Sequence, residues 1–263
     1  MGSQEMHIVE ERSEVMTKGY ARYDLADQLG VADADPRLSS LVAEFSELPT
    51  DPYARSAGRF RRYSRGVITP WDNGFSWIPP VLSDDEQWVT EYYQGDHNPE
   101  FTGARRQFPA LRESATDNPL LRDLILFDFG QTEWSPVDLM APIHVGVHMI
   151  NLVVDEAGQE AVASPNCLHQ DGEPYTFAHL MYRDNVVGGG NTIAPPRCAG
   201  MTPGEISEDL VMAEFELTKP LESYGVRDDK VSHYVAPIRR GGDPRPGGRA
   251  ILLVDFTPMA PRI

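Results

Sequence analysis

The sequence predicts an α+β protein that is mainly β, a jelly roll with N-terminal helices packed against it. Three observations lead to this fold class. Short apolar segments dominate after Val137 and are separated by Gly, Pro, Asp and Asn, which is typical of antiparallel rolls, a class that includes cupins. Helix-start signals are concentrated before that point. Because no repeat or linker divides the chain, we expect one domain over residues 1–263, with a helix-rich part at 1–136 and a β-roll core at 137–263.

The composition restricts the partners. The 263 residues include 23 Lys and Arg and 40 Asp and Glu, for a formal net charge of −17. A field of that sign repels nucleic acid and anionic membranes, so we expect neither as a partner, and a small molecule instead. The sequence starts without the apolar core of a signal peptide and has no run of about 18 apolar residues. We therefore expect a cytoplasmic protein, whose oligomeric state the sequence leaves open.

Four helices are expected before residue 137. The clearest has Asp35 as its N-cap and Pro36 at the first helical position, followed by apolar residues at spacings of three and four. The segment Ser83-Asp84-Asp85-Glu86 has the pattern of a capping box. The four helices are expected at 19–29, 35–45, 83–93 and 118–125.

Residues 59–65, Arg-Phe-Arg-Arg-Tyr-Ser-Arg, form the one basic cluster of an acidic chain. Basic residues interleaved with aromatics can bind nucleic acid, but the net charge argues against that function. Two interpretations stay open: a strand that lines an anion-binding pocket, or a solvated edge.

Five strands are expected in the second part, at 143–154, 175–183, 211–217, 231–238 and 250–256. In the first of them, side chains alternate between two faces, so His144 and His148 share one face and Asn151 lies on the other.

A metal site is indicated by His169-Gln170-Asp171-Gly172. In an extended segment, His169 and Asp171 point to the same side, which supplies two members of a set of two histidines and one carboxylate. The best candidate for the distant third ligand is His233, in a turn that runs into a strand, because facing strands of a jelly roll are far apart in sequence. Strand histidines such as His144 and His179 are more often packing residues. The function of His148 stays open between support of the site and contact with a substrate.

Arg249 begins an apolar segment, 249–256. A guanidinium at the mouth of a buried strand needs a carboxylate, and a bidentate pair is its natural partner. That carboxylate belongs either to an anionic cosubstrate or to an acid of the chain such as Asp255.

These motifs together resemble the bacterial Fe(II)/2-oxoglutarate dioxygenases related to L-isoleucine 4-hydroxylase. The resemblance covers roughly residues 50–257. The main run of the resemblance begins at 148–151 and includes its most specific parts: His169-x-Asp171-Gly172, the turn 185–189 (Asn-Val-Val-Gly-Gly), the segment 228–238 (Asp-Asp-Lys-Val-Ser-His-Tyr-Val-Ala-Pro-Ile) and Arg249. It extends more loosely upstream through Arg61-Arg62-Tyr63, Tyr92-x-Gln94, Asn98 and Arg105-Arg106.

The resemblance implies a double-stranded β-helix in which His169, Asp171 and His233 hold Fe(II) and Arg249 binds 2-oxoglutarate. The family's typical activity is hydroxylation of free aliphatic L-amino acids. The implied activity here is hydroxylation of an unactivated C–H bond of a small free L-amino acid or a related polar metabolite, with 2-oxoglutarate and O₂ converted to succinate and CO₂. Desaturation or cyclisation by the same chemistry, and a catalytically silent β-roll that binds a metal or metabolite as a sensor, are the alternatives.

The chain departs from the family around the first ligand. Relatives commonly have Pro-Glu-Gly-x-His-Arg-Asp-Gly there, whereas this chain has Asn166, Cys167 and Gln170, and they carry Arg where Asn151 stands. We therefore expect a substrate other than isoleucine. The residues expected to contact it are Arg105, Arg106, His148, Asn151, Asn166 and Gln170.

Overall fold

The computed structural model describes residues 13–54, 58–94, 103–163 and 165–259. Its strands are β1 (Tyr20–Asp24), β2 (Arg59–Thr69), β3 (Gly74–Ile78), β4 (Val81–Leu82), β5 (Trp88–Tyr93), β6 (Arg105–Pro109), β7 (Ile143–Val154), β8 (Glu160–Ala161), β9 (Tyr175–Asp184), β10 (Val186–Gly188), β11 (Asn191–Ala194), β12 (Ala213–Phe215), β13 (Glu222–Arg227), β14 (Ser232–Val235), β15 (Ile238–Arg240) and β16 (Gly247–Pro258). Its α-helices are α1 (Glu14–Lys18), α2 (Leu25–Gln28), α3 (Pro36–Glu44), α4 (Glu113–Thr116) and α5 (Pro119–Gly130).

The largest element is a seven-stranded antiparallel sheet with the order β1-β13-β9-β16-β7-β2-β3. Three smaller sheets have the orders β10-β15-β8, β12-β11-β14 and β4-β5-β6. The prediction of a mainly β protein is therefore confirmed. No α-helix in the described ranges is both long enough and apolar enough to cross a bilayer.

The inner strand β7 has one packed face and one open face. Its odd-numbered residues Val145 and Val147 are fully buried and belong to one apolar core with Leu41 of α3 and Leu121 of α5. Its even-numbered residues from His148 to Leu152 line a cavity on the other face of the sheet. The two-residue period of a strand thus places the helices on one side and the site on the other.

The expected helix at 83–93 is a turn followed by a strand. Ser83–Glu86 closes a tight turn, in which Glu86 N–H donates to the carbonyl of Ser83 over 3.0 Å, and Trp88–Tyr93 then pairs with β4 and β6. The prediction of a helix at 83–93 is wrong because aromatic and β-branched residues dominate 88–93 and favour a strand that can pair. The residues of the capping-box pattern form this turn instead of starting a helix.

The expected helix at 19–29 is also wrong. Gly19 has a φ of 85° and ends α1 in the left-handed conformation that glycine adopts without strain. The chain then forms β1, which pairs with β13, before the single turn of α2. By contrast α3 and α5 begin as predicted, because the side chains of Asp35 and Asn118 accept hydrogen bonds from the second residue of each helix.

The first part of the chain is less helical than expected. It supplies β1 to β6, and β1, β2 and β3 join the large sheet. The prediction of a helix-rich part at 1–136 therefore omits the strands β1 to β6. In the second part, β7 has the predicted bounds, 211–217 is ordered as the shorter β12, and 231–238 divides into β14 and β15.

Candidate metal centre and its cavity

His169 and His233 lie opposite each other in an antiparallel bridge. Each backbone N–H donates to the carbonyl of the other residue over 2.9 Å, and the ring centroids are 4.3 Å apart. The side chain of Asp171, two residues after His169, lies on the same side as the two imidazole rings. Its carboxylate oxygens are 3.5 Å from Nε2 of His169 and 3.4 Å from Nε2 of His233. One donor atom from each of the three residues lies within 4.8 Å of the other two.

The protonation of these groups suits a divalent cation. Nδ1 of His169 is 2.9 Å from the carbonyl oxygen of Cys167, and because a carbonyl only accepts, Nδ1 carries the hydrogen and Nε2 is left as a donor to metal. Burial lowers the pKa of His233 to about 4, which keeps the ring neutral. Burial alone would raise the pKa of Asp171, but the two histidines outweigh it and hold that pKa below the ordinary value. The hydrogen bond and charge of Asp171 outweigh burial and raise the pKa of His169, so this ring would release a proton from Nε2 when a cation binds. Two imidazoles and one carboxylate on one side of a cavity then fit Fe(II) with open positions.

Asp228 supports the loop that carries Asp171. Its two carboxylate oxygens accept the backbone N–H groups of Asp171, over 2.8 Å, and Gly172, over 2.9 Å. The side-chain amide of Gln170 donates to the carbonyl of Asp228. This contact turns Gln170 away from the cavity, into a separate groove beside Pro174.

The three candidate ligands line a cavity of about 990 Å³, counting its open mouth. Arg249 lies in the same wall and is only 3% exposed. In the described part of the chain it has no ion pair, and its Nε has no hydrogen-bond partner. Burial lowers its pKa to about 10, so the guanidinium remains charged at neutral pH. The alternative of a salt bridge from Arg249 to Asp255 is not present.

A glycine turn fits closely around Arg249. Gly189 has a φ of 76°, and a Cβ at this position would lie 3.1 Å from both Cδ and Nε of Arg249. The Asn-Val-Val-Gly-Gly motif thus supplies a backbone that the stem of the arginine can approach.

Three more arginines are buried in the cavity wall, and they differ in their partners. Arg59 is paired with Asp51 at 2.8 Å, and Arg106 donates to Oε1 of Gln94 over 2.7 Å. Arg61, 8% exposed, forms no ion pair with any residue that the structure describes. Its guanidinium lies over the rings of Phe108 and Tyr92, at 4.2 and 5.3 Å from their centroids, and burial lowers its pKa to about 10.

Two buried carboxylates share the cavity with Arg61. Asp255 accepts from His148, and its pKa is raised to about 6 by burial despite the nearby His144. Glu173 accepts the hydroxyl of Tyr92 at Oε1 over 3.2 Å, whereas its Oε2 has no hydrogen-bond partner among the described residues. Burial, with the charges of Asp255 and Asp171, raises the pKa of Glu173 well above its ordinary value.

The expected substrate contacts divide into two groups. Arg106 and His148 line the cavity. Arg105 is exposed and pairs with Glu91 on another surface. The remaining three lie off the cavity: Asn151 donates to the carbonyl of Phe45 and accepts from Tyr182 on the helix side of the sheet, Asn166 is exposed and accepts from Tyr234, and Gln170 faces the groove described above. Asn98 lies outside the described residues.

The cavity also contains residues that the sequence did not single out as substrate contacts. They are Arg59, Arg61, Tyr92, Gln94, Glu173 and Tyr224. The two-residue spacing of Arg59 and Arg61 could have indicated that both line the cavity, because side chains two residues apart in a strand lie on the same face. Of the two interpretations of this cluster, the strand that lines a pocket is the one that the structure has. Glu173 follows Asp171 at the same two-residue spacing that links His169 to Asp171.

The chain is similar to known proteins along most of its length. A family model described as 2OG-Fe dioxygenase matches residues 42–255. L-isoleucine-4-hydroxylase of Bacillus thuringiensis is 28% identical over 257 residues, which is 95% of each chain. A 3(1)-hydroxy-L-isoleucine 4-dioxygenase of Pantoea ananatis is 28% identical over 162 residues, 60% of each chain.

Solved structures have the same fold. The crystal structure of IDO from Bacillus thuringiensis superposes with a TM-score of 0.71 at 22% identity, covering 94% of this chain and 93% of that one. A BsmA homologue from Methylobium petroleophilum also gives a TM-score of 0.71, at 15% identity, covering 95% of this chain and 92% of that one.

Proposed function

Because the chain belongs to the 2OG-Fe dioxygenase family, we propose that it hydroxylates an unactivated C–H bond of a small free L-amino acid or a related polar metabolite. As a member of that family it is a non-haem dioxygenase that uses Fe(II), 2-oxoglutarate and O₂. One observation carries the proposal for the substrate: Arg61 and Arg249, two buried arginines without carboxylate partners among the described residues, line the cavity that holds the three candidate metal ligands.

His169, Asp171 and His233 would hold the iron, and Arg249 would pair with the distal carboxylate of 2-oxoglutarate. When bound, iron and 2-oxoglutarate supply the oxidation, in which O₂ is consumed and succinate and CO₂ are released. The chain would fix the metal from one side, orient 2-oxoglutarate through the fork of Arg249, and exclude bulk water with Ile251 and Leu253 of the same strand.

Arg61 would bind the carboxylate of the substrate. It is on β2 opposite Ile150 of β7, and Arg249 is on β16 opposite Leu152 of β7, so their backbones differ by two strand spacings and two residues along the strand, about 12 Å. Each guanidinium can therefore pair with a different carboxylate. Arg106, which lies over the Tyr92 ring at 4.9 Å, adds a second positive charge on the Arg61 side.

The relatives support an amino acid substrate, since both are named for activity on isoleucine or a hydroxylated isoleucine. We also propose that the core is a double-stranded β-helix, in which the sheets β12-β11-β14 and β10-β15-β8 face the large sheet, with the N-terminal helices behind it.

The test has two stages. Anaerobic addition of Fe(II) and then 2-oxoglutarate should produce the visible charge-transfer band of the chelate. A panel of free L-amino acids should then be screened for substrate-dependent succinate, with mass spectrometry of the product for a gain of one oxygen atom. His169→Ala and Asp171→Ala should each abolish both signals, and unchanged succinate formation in either variant would refute the ligand assignment.

The same measurements separate the alternatives. A product that has lost two hydrogen atoms would indicate desaturation or cyclisation. A chelate band without turnover of any panel member would refute the proposal and favour a sensor.

A further inference from the structure

One carboxylate oxygen in the cavity has no function in the fold. Oε2 of Glu173 is buried and has no hydrogen-bond partner in the described ranges, although the other oxygen of the same group accepts from Tyr92. Leaving an oxygen of a buried carboxyl group without a hydrogen bond costs free energy, and a ligand that donates to it would recover that free energy.

The other acids around the cavity are already engaged. Asp171 faces the two histidines, and Asp255 accepts from the ring of His148 and from the backbone N–H of Gly146. Both oxygens of Asp228 are taken by backbone N–H groups. Among these groups Glu173 is the one that can accept a hydrogen bond from a ligand without losing a bond it already has.

Glu173 and Arg61 are connected through one side chain, Tyr92. The guanidinium of Arg61 lies 5.3 Å from the centroid of the Tyr92 ring, and the hydroxyl of the same ring donates to Glu173. The guanidinium of Arg61 and the carboxyl group of Glu173 therefore contact the same tyrosine, one over its ring and the other at its hydroxyl, and both side chains line the cavity. The carboxylate of an α-amino acid can pair with the first group, and its ammonium, one carbon away, can donate to the second.

We propose that Glu173 binds the substrate's amino group while Arg61 binds its carboxylate, so that the cavity selects zwitterionic α-amino acids over 2-hydroxy or deaminated acids of the same shape. This assignment rests on the proposed function and narrows it, because a polar metabolite without a cationic amino group is excluded. A charge-assisted bond to an ammonium, lost when the ammonium is absent, gives a site strong discrimination against such analogues.

The first experiment uses the wild-type enzyme. The L-amino acid with the highest turnover in the panel is compared with its 2-hydroxy acid and its deaminated acid, and we expect kcat/KM to be at least about 10-fold lower for both analogues, from the size of a hydrogen bond to a charged group. Equal kcat/KM for the amino acid and the 2-hydroxy acid would overturn the assignment of Glu173. If no amino acid is turned over, the proposed function itself fails, which is a different result.

The second experiment uses Glu173→Gln, which replaces the carboxyl group with a neutral amide but keeps an acceptor for Tyr92. Calorimetric titration of the Mn(II)- and 2-oxoglutarate-loaded protein should give a Kd for the amino acid that is raised about 10- to 100-fold, with the Kd of the 2-hydroxy acid changed much less. Glu91→Gln is the matched control, because Glu91 is an acid on the same strand as Tyr92 but pairs with the exposed Arg105.

The affinity for 2-oxoglutarate, read from the anaerobic chelate band, should stay the same in both variants and reports that the site is intact. If Glu173→Gln weakened the binding of the amino acid and of 2-oxoglutarate equally, Glu173 would have a structural role and the proposal would be refuted. Glu173→Asp, which keeps the charge on a shorter side chain, should give an intermediate Kd for the amino acid.

Discussion

Nδ1 of His148 accepts a hydrogen bond from the guanidinium of Arg61. An arginine only donates, so this ring nitrogen carries no hydrogen, and Nε2 must be the nitrogen that carries it. Nε2 lies 3.0 Å from the carboxylate of Asp255 and donates to it. Burial and the charge of Arg61 lower the pKa of His148 well below its usual value, which agrees with a neutral ring. His148 therefore connects a buried cation to a buried anion and fixes the direction of Arg61.

We predict that His148→Phe weakens substrate binding more than it changes chemistry. Phenylalanine keeps the stacking on Tyr63, whose ring centroid is 4.3 Å away, but removes both hydrogen bonds. Since Arg61 then loses its orientation, KM for the amino acid should rise about 10-fold or more while kcat changes less, and the free energy of unfolding should fall by about 1–3 kcal/mol for the buried groups left unpaired. Steady-state kinetics and urea denaturation measure both. A KM increase for 2-oxoglutarate alone would contradict this function of His148.

Arg249→Lys should raise the Kd of 2-oxoglutarate and leave that of the amino acid unchanged. Lysine keeps the charge but loses the planar fork that pairs with a carboxylate through two hydrogen bonds. We expect a loss of about 10-fold or more, from the strength of hydrogen bonds between charged groups, read from titration of the anaerobic chelate band. Arg183→Lys is the control, because Arg183 pairs with Glu216 outside the cavity. If Arg249→Lys weakened only the binding of the amino acid and Arg61→Lys only the binding of 2-oxoglutarate, Arg249 would bind the substrate and Arg61 the cosubstrate, which would contradict both assignments.

The sequence was sufficient to identify three candidate metal ligands that the structure brings together, because their geometry is local or depends on simple topology. His169 and Asp171 share a face through the two-residue period, and His233 is opposite because strands of a roll face partners that are far away in sequence. The substrate side was harder to predict. Arg61 meets His148 only because β2 pairs with β7 in a register that sets Arg61 beside Ile150 and Tyr63 beside His148, and 87 residues separate the two groups. No local pattern encodes that register.

The predictions that differ from the structure fail for physical reasons. Ser83–Glu86 has the letters of a capping box, yet a turn satisfies those groups as well as a helix does, and pairing with β4 and β6 decides in favour of the strand. The two-residue period of β7 also decides between two of the expected substrate contacts. His148 and Asn151 are on opposite faces, so only one of them can reach a ligand in the cavity.

Asn151→Ala should therefore reduce stability without changing substrate affinity. The side chain of Asn151 donates to the carbonyl of Phe45 over 3.2 Å and accepts the hydroxyl of Tyr182 over 2.8 Å, all on the helix side of the sheet. Loss of both bonds in a buried position should lower the free energy of unfolding by about 1–3 kcal/mol. Chemical denaturation measures the loss, and kinetics on the best amino acid should give KM within about twofold of wild type, since the cavity wall is untouched. A large rise in KM with unchanged stability would mean that Asn151 reaches the substrate after all.

Asp228→Asn should weaken metal binding although Asp228 is not a ligand. Its two carboxylate oxygens hold the backbone N–H groups of Asp171 and Gly172, so asparagine, with one oxygen and one NH₂ group, must leave one N–H without an acceptor. The ligand loop should then lose its fixed direction, and we expect Fe(II) or Mn(II) affinity to fall about 10- to 100-fold, as when partners of metal ligands are removed elsewhere. Asp229→Asn is the matched control: it neutralises the adjacent acid, which is exposed and pairs with Arg227. Equal metal affinities for the two variants would show that net charge near the site, rather than the direction of the Asp171 backbone, is what Asp228 contributes.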